Sequence, residues 1–175
     1  MQMQGERSID ASRADVWAAL NDPEVLKACI PGCETLEKTS PTTFEATVMQ
    51  KVGPVKARFK GSVELSDIVE TEGYTITGEG KGGAAGFAKG GATVRLADDG
   101  QGTLLTYQAE AKVGGKLAQL GSRLIDGFAR KMADDFFTRF QQAVEGPEFA
   151  PDEETEASDD TSDEKKKGWF KRMIG

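Results

Sequence analysis

From Phe44 to Val113 the apolar residues recur at every second position, and from Leu117 to Val144 they recur at every third or fourth. The first period is that of strands with one covered face, and the second is that of an amphipathic helix. The change falls at Gly114-Gly115, a pair that breaks either element. A run of strands followed by one long helix is an α+β chain, and the simplest way to bury both apolar faces is to curl the sheet around the helix.

The strands can be read singly. Phe44, Ala46 and Val48 form one short run, and Val55, Ala57, Phe59, Gly61, Val63 and Leu65 form a long one. Tyr74, Ile76, Gly78 and Gly80 repeat the pattern, followed by Ala92, Val94 and Leu96. Asp98-Asp99-Gly100 signals a hairpin turn. Leu105, Tyr107, Ala109, Ala111 and Val113 make the last face. Residues 116–145 contain no proline and predict one continuous helix of roughly 45 Å.

Ahead of the sheet, residues 2–9 read as a first strand. Ser12 is placed to cap a helix, with Asp15 three residues on. Asp22 and Pro23 open a second short helix, which Pro31-Gly32 ends.

Charge divides the chain into three. Residues 1–147 are nearly balanced, residues 148–164 carry nine acids and no base, and residues 165–175 carry five bases and no acid. The reading is a folded domain over 1–147, an acidic disordered linker over 148–164 and a basic tail over 165–175. The balanced domain argues against nucleic-acid binding, which needs clustered cations.

There is no histidine, which removes Ser-His and Cys-His catalysis and histidine metal sites. The only thiols, Cys29 and Cys33, are spaced CxxxC, which leaves a disulfide open and supplies no four-thiolate metal site. Glu45, Glu64, Glu79 and Glu110 fall on outward strand positions and read as solvated rather than catalytic. Gly78, Gly80 and Gly83 satisfy GxGxxG, but strand-like sequence lies on both sides, whereas a dinucleotide fingerprint opens a helix. The stretch reads as a glycine-rich hairpin, with Phe87 as an apolar gate at the mouth of any cavity. No catalytic constellation is left, so the chain does not read as an enzyme. No stretch is long and apolar enough to span a bilayer, and no signal sequence is seen.

Two features point to a ligand and a surface. Ala46, Ala57, Gly61, Gly78, Gly80, Ala109 and Ala111 fall on the face turned toward the helix. Close-packed interiors normally fill such positions. Either bulky neighbours fill the space, or an apolar cavity is left. The tail, Lys165, Lys166, Lys167, Gly168, Trp169, Phe170, Lys171, Arg172, Met173, Ile174 and Gly175, would place Trp169, Phe170, Met173 and Ile174 on one helical face flanked by cations. That is the composition of an interfacial membrane contact, weak and reversible in the absence of a lipidation motif. A docking peptide for a partner protein and an inert tail folding back on the acidic linker are the alternatives.

Asp22-Pro23-Glu24-Val25-Leu26, Cys29-Ile30-Pro31-Gly32-Cys33-Glu34, Val52-Gly53-Pro54-Val55-Lys56-Ala57 and the Gly82 to Gly91 segment together resemble the family of the carbon monoxide dehydrogenase G subunit. That family lies in the START-like (SRPBCC) superfamily of helix-grip domains. The resemblance covers residues 1 to about 145. It implies a seven-stranded antiparallel sheet around a long C-terminal helix, two short helices after the first strand, and an apolar pocket. It also implies a non-enzymatic accessory role beside a molybdenum-containing carbon monoxide dehydrogenase or a related hydroxylase. The expected ligand is a quinone, ubiquinone or menaquinone, with no covalent cofactor. The expected location is the inner face of the cytoplasmic membrane, reversibly and peripherally. The residues expected to line the pocket are Phe59, Gly61, Phe87, Tyr107, Leu117, Leu120, Gly121 and Leu124. A recruitment adaptor without ligand carriage is the other function such a chain could serve.

Overall fold

The computed structural model describes residues 1–146; the acidic segment 148–164 and the basic tail 165–175 lie outside the described residues. The elements run β1 (Gln2–Ile9), α1 (Arg13–Leu20), α2 (Pro23–Cys29), β2 (Cys33–Ser40), β3 (Thr43–Val52), β4 (Val55–Val69), β5 (Gly73–Lys81), β6 (Phe87–Asp99), β7 (Gly102–Gly114), α3 (Lys116–Gln119) and α4 (Ser122–Glu145). A single turn of 3-10 helix, Gly83–Ala85, joins β5 to β6. The strands form one antiparallel sheet in the order β1-β7-β6-β5-β4-β3-β2. β2 through β7 form a meander, and β1 joins its far side by pairing with β7.

The two short helices start as their caps dictate. The Ser12 hydroxyl accepts the Asp15 N–H at 3.1 Å, and Asp22 accepts the Glu24 N–H at 2.9 Å with Pro23 in the first turn. Each cap satisfies a helical donor that would otherwise be orphaned.

Two expectations need correction. The helix over 116–145 is not continuous: α3 ends at Gln119, and Gly121 takes a positive φ of 92° before α4 begins at Ser122. A left-handed residue stops a helix, and glycine adopts it without steric cost. The second strand, Cys33–Ser40, had no counterpart in the apolar pattern. It is an edge strand of sequence CETLEKTS with no fully buried residue.

Inward residues are packed at one end of the sheet. Ile9, Phe44, Leu65, Tyr74, Val94, Leu96 and Leu105 are buried there. α1 adds Val16, Ala19 and Leu20, and α4 adds Phe140 and Val144. Trp17 packs on Tyr74 with ring centroids 5.4 Å apart. Thr103, also buried, donates its hydroxyl to the Ala11 carbonyl at 2.7 Å, so its polar atom is satisfied.

Candidate functional site: an open cleft under the long helix

At the opposite end of the strands the inner face is thin. Ala46, Gly61 and Gly80 are direct partners across β3, β4 and β5. Gly78, Gly90 and Ala111 are direct partners across β5, β6 and β7, and Ile76, Ala92 and Ala109 form the next row. All nine are half-buried rather than buried. The floor of this end therefore carries side chains no larger than a methyl group in eight of nine places.

Not every glycine there is free to be larger. A Cβ on Gly90 would run into the Glu110 carbonyl oxygen, so close approach of β6 and β7 demands glycine. Gly80 is different: a Cβ there would meet nothing closer than the Lys60 carbonyl oxygen at 3.9 Å, and its φ is not positive. Backbone geometry therefore does not require Gly80 to be small.

α4 covers this floor unevenly. Near the packed end it is pinned to β1 and β7. The Phe137 ring stacks on Tyr107 at 5.0 Å, Arg7 sits 6.0 Å over the same ring, and Arg7 also pairs with Asp134 at 3.6 Å. Gln141 donates to the Ser8 carbonyl at 3.0 Å. Toward its N-terminus no residue of α4 is fully buried, and Leu124 is 40% exposed. An open volume of about 1690 Å³ at the middle of the sheet is bordered mostly by outward-facing residues, Gln2, Gln4, Ser62, Thr75, Thr77 and Gln108 among them, and so lies largely on the outer face. Its inward-facing border runs along Met3, Ile76, Ala92, Tyr107 and Ala109 to Arg130 and Asp134. A second cavity of about 490 Å³ lies between the end of β7, α3 and the start of α4, lined by Val113, Ala118, Gly121, Ile125 and Asp126. Oδ1 of Asp126 is closed off from solvent with no hydrogen-bond partner among the described residues. Unsatisfied oxygens of this kind are rare and call for an explanation.

The eight residues expected to line the pocket do not gather on one surface. Phe59 and Gly61 face inward on β4, and the Phe59 ring lies against Gly82. Tyr107 borders the larger volume and Gly121 the smaller. Leu117 is 4% exposed where α3 meets the glycine-rich turn. Leu120 caps α3 and is half-buried, and Leu124 is at the rim. Phe87 is not a gate over the cleft: it shares the outward parity of Lys89, and its ring covers Gly114 on the outer face. Sequence reasoning missed Met3, Gly90, Phe137 and Asp126. Gly90 fits the inward parity of Ala92 and Val94, a signal that could have found it.

The thiols are electrostatically quiet. Both cysteines are free. Burial pushes the Cys29 thiol up to about 12, partly offset by Arg139. Burial also raises Cys33, and it raises the Tyr74 phenol well above its ordinary value.

An antiparallel sheet partly wrapped on a C-terminal helix, with a cleft between them, is a helix-grip domain. A family model for the G subunit of carbon monoxide dehydrogenase (CoxG) matches residues 5–145, and the chain belongs to that family. A conserved protein from Geobacillus kaustophilus is similar in structure, with a TM-score of 0.77 and 30% identity, over 82% of this chain and 95% of that one. Proteins from Thermus thermophilus (TM-score 0.63, 16% identity, 82% and 97% covered) and Rhizobium leguminosarum (0.65, 17%, 83% and 94%) share the fold. No curated protein matches the chain. Family membership makes it a protein associated with carbon monoxide dehydrogenase. Among the described residues no helix is long and apolar enough to cross a membrane.

Proposed function

We propose that the domain carries a quinone for a molybdenum hydroxylase of the carbon monoxide dehydrogenase type, and that the basic tail brings it reversibly to the inner face of the cytoplasmic membrane. The observation that carries the reading is the floor of alanine and glycine under a helix that is buried at only one end. An apolar chain of ten carbons lying there would contribute roughly 8 kcal/mol of gross burial energy. Association entropy offsets a large part, leaving an affinity suited to a carrier that must release its load.

The chain's own groups have simple tasks. The small residues admit the isoprenoid chain, and α4 shields it from water. The headgroup remains near the rim, where a soluble dehydrogenase can reach it. The tail supplies transient attachment through Trp169 and Phe170 and the cations around them.

Gly80→Leu tests this reading, because it puts four carbons into the cleft without a backbone clash. Titration with a short-chain quinone should show binding to the wild-type chain and at least tenfold weaker binding to the variant, with the fold intact by circular dichroism. Equal binding by both would remove the cleft from the account. If electron delivery to the membrane survives Gly80→Leu but is lost on deleting residues 165–175, the domain is a recruitment adaptor instead.

A further inference from the structure

The outer face of the sheet carries a charge pattern that ligand carriage does not use. In three places lysine stands directly opposite lysine: Lys51 and Lys56 across β3 and β4, Lys60 and Lys81 across β4 and β5, and Lys89 and Lys112 across β6 and β7. All six are exposed, and by strand parity all six share the outer face. All lie toward the end of the sheet that holds the glycine-rich turn and the thin floor.

Like charges directly opposed across a ladder destabilise a sheet. Glu79, on the same face, is the direct partner of Lys89 across β5 and β6, so one acid stands beside two of the six lysines. Among the described residues, the ion pair found for these six is Lys81 with Glu79 at 3.9 Å, between two exposed side chains, and such a pair contributes little. The pattern also has an apolar centre. Lys60, Lys81, Phe87 and Gly114 are consecutive partners across β4, β5, β6 and β7, and Phe87 is 41% exposed on the same face. The other end of the strands is acidic, with Asp67, Glu70 and Glu72 around the β4–β5 turn and Asp98 and Asp99 at the β6–β7 turn. The domain thus carries a field directed along its strands.

We infer that this lysine face, with Phe87 at its centre, docks the folded domain on an anionic lipid bilayer, with the thin-floored end of the sheet toward the membrane. The inference extends the proposed membrane attachment from the tail to the domain itself. Breadth and an exposed aromatic among lysines favour a bilayer: the cations span β3 to β7, and an aromatic ring flanked by cations is interfacial composition. The role is to orient the cleft during ligand exchange, which attachment through the tail alone would not do.

Vesicle sedimentation of the full-length protein tests it, using phosphatidylcholine with and without phosphatidylglycerol. Lys56→Gln/Lys60→Gln/Lys89→Gln removes one lysine from each pair. It should bind anionic vesicles about tenfold or more weakly than wild type, and its Tm should be unchanged or raised because repulsion is relieved. Trp169→Ala/Phe170→Ala is measured in parallel. Loss in the lysine variant with no loss in the tail variant would sustain this inference and sink the tail reading. Loss in the tail variant with wild-type binding by the lysine variant would do the reverse. Unchanged vesicle binding by the lysine variant, together with lost binding to the dehydrogenase, would assign the face to an acidic protein and overturn the proposal. Equal binding to neutral and anionic vesicles would also overturn it.

Discussion

Phe140 and Val144 are the only residues of α4 that are fully buried, and both belong to its last two turns. Truncating Phe140 should therefore cost far more than truncating Leu124 at the other end. Phe140 has no exposed surface, and its ring lies 5.8 Å from that of Phe136. Phe140→Ala removes a buried aromatic ring from a packed site, at a cost of about 3–5 kcal/mol. For a domain of this size each kcal/mol moves Tm by about 3 °C, so a fall of roughly 10 °C or more is expected. Leu124 is 40% exposed at the rim. Leu124→Ala should cost about 1 kcal/mol, because a large share of the side chain is already in solvent and alanine is at least as good a helix former. Urea unfolding of both variants, with m-values compared to exclude a change in the unfolded state, measures the difference. Equal destabilisation would refute the reasoning. It would mean that both ends of α4 are packed alike and that no cleft opens beneath its first turns.

Two further outcomes follow from the packing. Gly90→Ala should destabilise by about 2 kcal/mol or prevent folding, since its Cβ would meet the Glu110 carbonyl oxygen; thermal unfolding of the purified variant checks it. The Cys29 thiol contributes to the alkaline limit of stability. Its folded value of about 12 lies above the unfolded value of 9.0, so the folded state holds the proton while the unfolded state loses it. Its contribution is full below about pH 9 and is lost as pH rises toward 12, with a slope of at most about 1.4 kcal/mol per pH unit. Cys29→Ala should show a shallower loss of stability over that window, whereas an unchanged pH profile would contradict the assigned burial.

Much of the fold was legible because its elements obey strong local rules. The alternation along Val55 to Leu65 and Leu105 to Val113 reports a face covered on one side, and the caps at Ser12 and Asp22 bond as their side-chain chemistry requires. β2 was illegible because an edge strand with few neighbours need not alternate: Cys33 and Leu36 are half-buried among exposed polar residues. The helix break was visible only as a glycine. Gly121 read as a small wall residue, whereas its positive φ makes it the joint between α3 and α4. Parity placed Gly61 and Tyr107 on the inner face. Parity would also have moved Phe87 to the outer face, had the start of β6 been recognised inside the glycine run. Phe137 and Asp126 were out of reach, because helix rotation and long-range contacts decide what they touch.

The central claim is that the space above Gly80 holds an apolar quinone. The most direct measurement is solvent extraction of the full-length protein after purification from cells whose membranes contain quinone, with mass spectrometry of the extract and Gly80→Leu prepared alongside. The account predicts a quinone recovered in near-stoichiometric amount from the wild-type chain and little from the variant, and a rise in Tm when quinone is added back to stripped protein. No quinone from either protein and no thermal shift would contradict it.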